Sequence, residues 1–435
     1  MDLSDPGTGK TRVQIDLFAK RRKEGGKCAL IIAPKSLLES AWDEDIKKFQ
    51  PKLETSICYA YKREDKFAAP ADIYITNTDA ARWLAKQRPT FFRKFDTLII
   101  DEASAFKHRT SQRSRSLKKI VKHFRYRYGL TGTPNANSIL DIWHQALIID
   151  DGKRLGRSFM AFRATMATPI QIGPQPNMVR YDDKPGAAAA VADLLSDITV
   201  RYIFEECHDI PKNHVYTRHY TLSKKQQLAY NVMEQDAILQ TAKGEVVNAV
   251  NAAALVTKLL QIASGAVYDE HGATVNIEDD RYELITDLVT ARAHSLVFFN
   301  WKHQAAQLRA HFEKRGVTYA LIDGTVKASD RAQIVNDFQK GYYRVLLAHP
   351  QSAAHGLTLT KATSTIWSSP TYNLEFFLQG NRRIYRAGQD KKTETILIAA
   401  KNTMEPDVYA KLAAKDIKQL DFLRIIKALG QSPMP

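Results

Sequence analysis

Two short stretches carry side chains whose types and spacing suit phosphoryl chemistry. Near the amino terminus, Asp5-Pro6-Gly7-Thr8-Gly9-Lys10-Thr11 has the make-up of a phosphate-binding loop. Gly7 and Gly9 let the backbone around Thr8 curl so that its N–H groups face phosphate oxygens. Lys10 adds a point charge for the outer phosphates, and the Thr11 hydroxyl can ligate Mg²⁺. The strict form of the motif has glycine at position 4, where this chain has Ser4. Far downstream, the apolar run Thr97-Leu98-Ile99-Ile100 ends in Asp101-Glu102. Asp101 can hold Mg²⁺ directly or through water, while Glu102 can orient and deprotonate an attacking water. Both stretches require a scaffold that brings them to one edge.

The sequence supplies such a scaffold as alternating strands and helices. Thr11 to Arg22 carries Val13, Ile15, Leu17 and Phe18 among polar residues, so a helix should follow the loop and aim its amino terminus at the phosphates. Cys28-Ala29-Leu30-Ile31-Ile32-Ala33, Ile73-Tyr74-Ile75-Thr76 and the run before Asp101 are unbroken apolar segments, as parallel strands buried on both faces require. Ser36 is placed to cap a helix after the first of them. In the second half, His219 to Ser223 reads as an alternating strand, and further strands are expected at 295–299, 319–322, 344–348, 365–367 and 395–398, with helices between. The proline- and glycine-rich stretch from Thr168 to Gly186 is expected to form a loop or small protrusion, and Asp407 to Leu429 an amphipathic helix closing the second half.

Composition narrows the partners. The chain has 435 residues, 63 Lys plus Arg and 47 Asp plus Glu, for a net charge of +16. A polyanion is the expected partner, and nucleic acid suits it better than a membrane because no basic amphipathic anchor stands out. The stretch from Ala103 through Leu140 has no acidic residue and carries nine Lys and Arg, among them Arg113, Arg115, Lys118 and Lys119. Cys28, Cys58 and Cys207 have neither disulfide nor metal-ligand spacing, which fits a reducing cytoplasm.

Taken in order, Gly7 to Thr11, Ala33-Pro34-Lys35-Ser36-Leu37, Asp101-Glu102-Ala103-Ser104 with Lys107, and Leu130-Thr131-Gly132-Thr133-Pro134 resemble motifs I, Ia, II and III of superfamily 2 helicases. The likeness is nearest to the Swi2/Snf2 DNA translocases. The usual histidine after Asp-Glu-Ala is Ser104 here. In the second half, Gln379-Gly380-Asn381-Arg382-Arg383-Ile384-Tyr385-Arg386-Ala387-Gly388-Gln389 resembles motif VI, with Arg382 at a position that is often acidic and Tyr385 at one that is often histidine. Ser352 to Leu359 resembles motif V, with alanines for the usual paired glycines and Thr358 for a usual Asn.

That resemblance implies an α/β fold with two RecA-like parallel-sheet lobes facing an ATP cleft. It divides the chain into lobe 1 at 1–150, an insertion or linker at 151–215 and lobe 2 at 216–435. It implies ATP and Mg²⁺ as cofactors, Arg383 and Arg386 as arginine fingers, nucleotide contacts at Gly356 and Gln389, and nucleic-acid contacts at Lys35, Ser36, Asn77, Lys107, Lys302 and Thr325. The expected activity is ATP-driven movement of a monomer along duplex DNA. A strand-separating DNA or RNA helicase is the second reading, and RNA remains open as the polyanion. A third is a nucleic-acid-binding module with an impaired ATPase: Met1-Asp2-Leu3-Ser4 is too short for the strand that normally precedes such a loop, and the adenine-reading segment before it is missing.

Overall fold

Cys28–Ala33 is apolar throughout because it is the middle strand, β1, of a five-stranded sheet. The computed structural model describes residues 1–173, 175–242, 249–268, 271, 273–277, 280–353 and 357–430. By their contacts they form two compact units, one of the described residues within 1–209 and 415–430 and one of those within 210–414.

In the first unit β1 is followed by β2 (Thr55–Ile57), β3 (Ile73–Asn77), β4 (Phe95–Asp101) and β5 (Tyr126–Leu130), in the spatial order β2-β3-β1-β4-β5 with every pair parallel. Strand alternation sends Leu30, Ile32, Leu98 and Ile100 to one face, where helices Ala81–Leu84 and Gln112–Ile120 bury Ala81, Leu84, Leu117 and Ile120. Ala29, Ile31, Ile75 and Ile99 go to the other face, under Ile15 and Phe18 of helix Lys10–Lys23 and under Trp42 and Ile46. The carboxyl ends of the strands are thus left for the site. The proline-rich stretch forms an antiparallel hairpin, β6 (Ala167–Gln171) with β7 (Val179–Asp183). Ser36 does not cap a helix by its side chain; Lys35–Leu37 is a single 3₁₀ turn, and the Ser36 carbonyl accepts from the Ser40 hydroxyl at 2.9 Å.

The second unit opens with β8 (Asn213–Tyr220), carries a small antiparallel pair of β9 (Ala266–Tyr268) and β10 (Thr274–Asn276), and then builds a parallel sheet. Its further strands are β11 (Ser295–Phe298), β12 (Tyr319–Ile322), β13 (Val345–Ala348), β14 (Ser364–Trp367) and β15 (Thr393–Ala400), ordered β12-β13-β11-β14-β15-β8. The five strands expected at 295–398 are joined by β8, which lies earlier than the strand expected at His219 to Ser223 and runs parallel to β15 along its full length. No helix among the described residues is long and apolar enough to cross a membrane.

The end of the chain divides differently from the sequence expectation. Helix Glu405–Gly430 is longer than Asp407 to Leu429, and residues from Lys415 onward group with the first unit. The physical reason is burial: Phe422, Leu423 and Ile426 share a core with Met1, Leu3, Trp143 and Val191. Phe422→Ala should cost about 3–5 kcal/mol of stability in the first unit. Denaturant unfolding followed by a probe in that unit checks this, and a loss within about 0.5 kcal/mol, the range of ordinary surface substitutions, contradicts it.

Candidate nucleotide site and nucleic-acid contacts

The phosphate loop is built from its backbone. Gly7 and Gly9 sit at φ 89° and 91°, where an L side chain would be strained. Gly9 is the N-cap of helix Lys10–Lys23 and makes no side-chain cap bond, and the first turn holds no acidic residue, which leaves the positive helix end to the loop. A Cβ built at Gly9 would meet no atom within 4 Å, so the space beside the loop there is open. Gln14 Oε1, Thr133 Oγ1 and Asn135 Oδ1, buried side-chain oxygens on elements that meet near the loop, have no hydrogen-bond partner among the described residues. Buried orphans of this kind fit a polar ligand. No motif spacing in the sequence singles out Gln14 or Asn135.

The support behind the loop comes from long range. Asp2 pairs in parallel with Leu130 at the end of β5 on one side and with Val200 on the other. Asp2 N–H donates to Gly129 O at 2.8 Å and Thr131 N–H to Asp2 O at 3.0 Å. A Cβ at Gly132 would come within 3.0 Å of Pro6 Cδ, so the 131–135 turn packs against the loop itself. On the far side the buried Arg201 guanidinium pairs with Asp5 Oδ1 at 2.8 Å and donates to Leu3 O at 2.6 Å. Phe204 N–H donates to Asp5 Oδ2 at 3.0 Å, and His208 Nε2 lies 3.0 Å from Gly7 O. The short segment Met1 to Ser4 therefore gains strand-like support from residues 198–204, which no local signal in the sequence announced.

Asp101 and Glu102 end β4 as expected. Asp101 Oδ2 accepts from the buried Trp42 indole at 2.8 Å, and Oδ1 accepts from Glu102 N–H at 3.1 Å. Each carboxylate oxygen keeps a second lone pair, so the group still fits a hard cation such as Mg²⁺. Burial pushes the Asp101 carboxyl up, opposed by the Trp42 bond and by Lys10. Burial likewise pushes Lys10 down, opposed first by Glu102 and then by Asp2, Asp101 and Asp5. The lysine and the acidic pair thus feel one another, and the Lys10 ammonium donates to Ser4 O at 2.7 Å and Asp5 O at 3.0 Å. Among the described residues, Glu102 is one of four non-glycine residues at positive φ, at 54°. A bulky side chain in that region is strained, and such strain concentrates at functional positions. Thr11 is half-buried one residue into the helix.

Behind Glu102, His144 Nδ1 lies 2.6 Å from Phe106 O. A carbonyl only accepts, so Nδ1 carries a proton and donates.

The other candidates sit as follows. Lys35 is exposed with its ammonium 5.0 Å above the Tyr59 ring, and Asn77 at the end of β3 accepts from Arg63 at 3.2 Å. Lys107 is half-buried, and its N–H bonds Ser104 O at 3.1 Å. In the second unit, Thr325 donates through N–H and Oγ1 to Asp323 Oδ1 at 2.9 and 2.6 Å. Burial works to raise Asp323, but the Thr325 bonds, with the charges of His349 and Lys302, take it below its usual value. Lys302 and Thr325 are thus brought to one carboxylate. Arg383, 6% exposed, donates to Gln379 O at 2.7 Å and Leu357 O at 3.3 Å, and Arg386 donates to the same Leu357 O at 3.1 Å. Gln389 spends its amide on Thr360 O, Ala362 O and Ile384 O, holding its own unit together. Gly356 lies outside the described residues.

A parallel α/β sheet with a glycine loop, a lysine and an Asp-Glu pair at its carboxyl edge defines a P-loop nucleotide-binding protein. Comparison narrows that class. The model of the SNF2-related domain matches residues 3–264, and that of the helicase conserved C-terminal domain matches 280–388. The chain belongs to the SNF2-related family of helicase superfamily 2, a family of ATP-dependent, helicase-like motors. It is 27% identical to protein p41 of Acyrthosiphon pisum secondary endosymbiont phage 1, over 94% of this chain and 91% of that one. It is 23% identical to the Chromodomain-helicase-DNA-binding protein 1-like of Danio rerio, over 94% of this chain but only 40% of that one. The Sulfolobus solfataricus SWI2/SNF2 ATPase core solved in complex with dsDNA shares 22% identity over 98% of this chain and 90% of that one, at a TM-score of 0.43.

Two outcomes test the site's scaffold. Arg201→Met leaves the Asp5 carboxylate without its cation and should cost about 3–5 kcal/mol, read by denaturant unfolding; an unchanged midpoint contradicts the clamp. The second concerns pH. Burial lowers the His144 pKa from 6.5 to about 4. The stability held by its neutral form is complete above pH 6.5 and is lost as pH falls from 6.5 toward 4. Between pH 7 and pH 5 the parent should lose about 2 kcal/mol more than His144→Gln; equal losses contradict it.

Proposed function

We propose that this chain is an ATP-hydrolysing motor that moves along duplex DNA. The observation that carries the reading is the convergence of Lys10, Asp101 and the left-handed Glu102 at one edge of a parallel sheet, within a chain of the SNF2-related family. Lys10 and the loop's N–H groups bind the phosphate chain. Thr11 and Asp101 would hold Mg²⁺, which when bound neutralises charge on the phosphate oxygens. Glu102 orients the attacking water and takes its proton. Arg383 and Arg386 of the second unit stabilise charge that develops on the γ-phosphoryl, and their shared anchor on Leu357 O supports their acting together. Lys35, Ser36, Asn77, Lys107, Lys302 and Thr325 contact the nucleic-acid backbone, so that turnover is stimulated by it. The net charge of +16 supports a polyanionic track.

ATP turnover measured alone and with duplex DNA, single-stranded DNA or RNA tests this. Duplex DNA should stimulate most. Lys10→Ala should abolish turnover, and Glu102→Gln should lower kcat by about 10²–10⁴-fold with nucleotide binding retained. Turnover no higher than that of Lys10→Ala overturns the enzyme reading. Stimulation by RNA but not DNA overturns the track.

A further inference from the structure

On the sheet face opposite helix Lys10–Lys23, helices Ala81–Leu84 and Gln112–Ile120 pack side by side and enclose an open groove of about 700 Å³. Its lining includes Arg82, Lys86, Arg115 and Lys119, with Gln112 and Ser116 as neutral hydrogen-bonding groups and no carboxylate. Spacing explains part of the convergence: Arg115 and Lys119 are four apart and share one helix face with Gln112, while Arg82 lies on the facing helix and Lys86 in the turn that follows it. None of the four forms an ion pair among the described residues. The contrast lies on the same helix, where Arg113 is neutralised by Asp79 at 2.9 Å.

Four like charges facing one another across a groove repel, and only an anionic ligand from outside turns that arrangement into binding. The ligand's chemistry follows from the rest of the lining. Ala85 is its one apolar residue, and no exposed large hydrophobic side chain lies along it. It therefore lacks what would enter a lipid bilayer, and it lacks the aromatic platform on which unpaired bases stack. What remains suits a repeating row of phosphates: two guanidinium forks, two ammonium point charges and two neutral groups.

We infer that this groove is a second nucleic-acid contact, which grips the phosphate backbone of duplex DNA without reading its bases. It rests on the duplex-DNA reading above but not on ATP turnover. It also enlarges what the basic stretch from Ala103 to Leu140 implied, because Arg82 and Lys86 come from outside that stretch. Fluorescence-anisotropy binding of a labelled duplex, without nucleotide and across a salt series, tests it on the full chain. In Arg82→Gln/Lys86→Gln/Arg115→Gln/Lys119→Gln the slope of log affinity against log salt should fall by about two to four, near 0.9 for each phosphate that is no longer neutralised. Affinity at low salt should drop at least about tenfold, while ATP turnover without DNA stays at the parent value. Arg82→Lys/Arg115→Lys keeps the charge and should keep the slope. If the fourfold variant does not fold, Arg115→Gln and Lys119→Gln read singly should each remove about one unit of slope. A parental slope in the neutralised variants overturns the groove and leaves the motor reading standing. A parent chain that does not bind duplex DNA overturns both. Loss of binding to anionic phospholipid vesicles, with DNA binding unchanged, assigns the groove to a membrane surface and overturns the inference.

Discussion

The nucleotide site depends on one buried ion pair. Asp5 lies directly before the glycine loop, and both of its carboxylate oxygens are held from across the chain, one by Arg201 and the other by Phe204 N–H. The same arginine fixes Leu3 O, and Phe204 packs against Gly7 at the distance where a Cβ would touch it. A loop made flexible by two glycines loses more freedom on ordering than most, so something rigid must hold its root. Here that is a residue almost two hundred positions away, with β5 on the other side through Asp2. Buried pairs of this kind add little net stability beyond an apolar substitute, but they define one geometry and penalise its loss heavily. A phosphate loop needs that property.

The charges at the sheet edge are balanced against one another. Burial disfavours the ammonium of Lys10 and the carboxylate of Asp101 alike, and each is restored partly by the other. Trp42 takes one Asp101 oxygen with a neutral donor, which fixes the carboxylate without adding a competing cation. Glu102 sits in a backbone conformation that its side chain disfavours, so its position is set by β4 before it and the 3₁₀ turn Ala103–Phe106 after it. His144, bonded to Phe106 O, closes that turn from behind.

Much of this was legible in the sequence because it depends on local rules. The apolar runs at Cys28–Ala33 and before Asp101 are β1 and β4 to within two residues, and the phosphate loop is a motif whose glycines have one backbone reason. The five parallel strands of the second unit were legible for the same cause. What escaped was set by contacts distant in sequence. Residues 198–204 look irregular, and only their pairing with Asp2 gives them a role. β8 is exposed or half-buried along its whole length, which does not tell which strand it joins, and β15 decides it. The tail helix reads as amphipathic, but nothing in its period says that Phe422 will meet Leu3. Arg82 and Lys86 carry no motif at all, and their meaning comes from the helix they face.

The central claim is that ATP hydrolysis at Lys10, Asp101 and Glu102 drives the protein along duplex DNA. It is tested most directly by displacement of a third strand from a DNA triplex carried on a long duplex arm. The account predicts displacement that requires ATP, is lost in Glu102→Gln, and leaves the two duplex strands paired. Hydrolysis of ATP on that same substrate with no displacement of the third strand would contradict it.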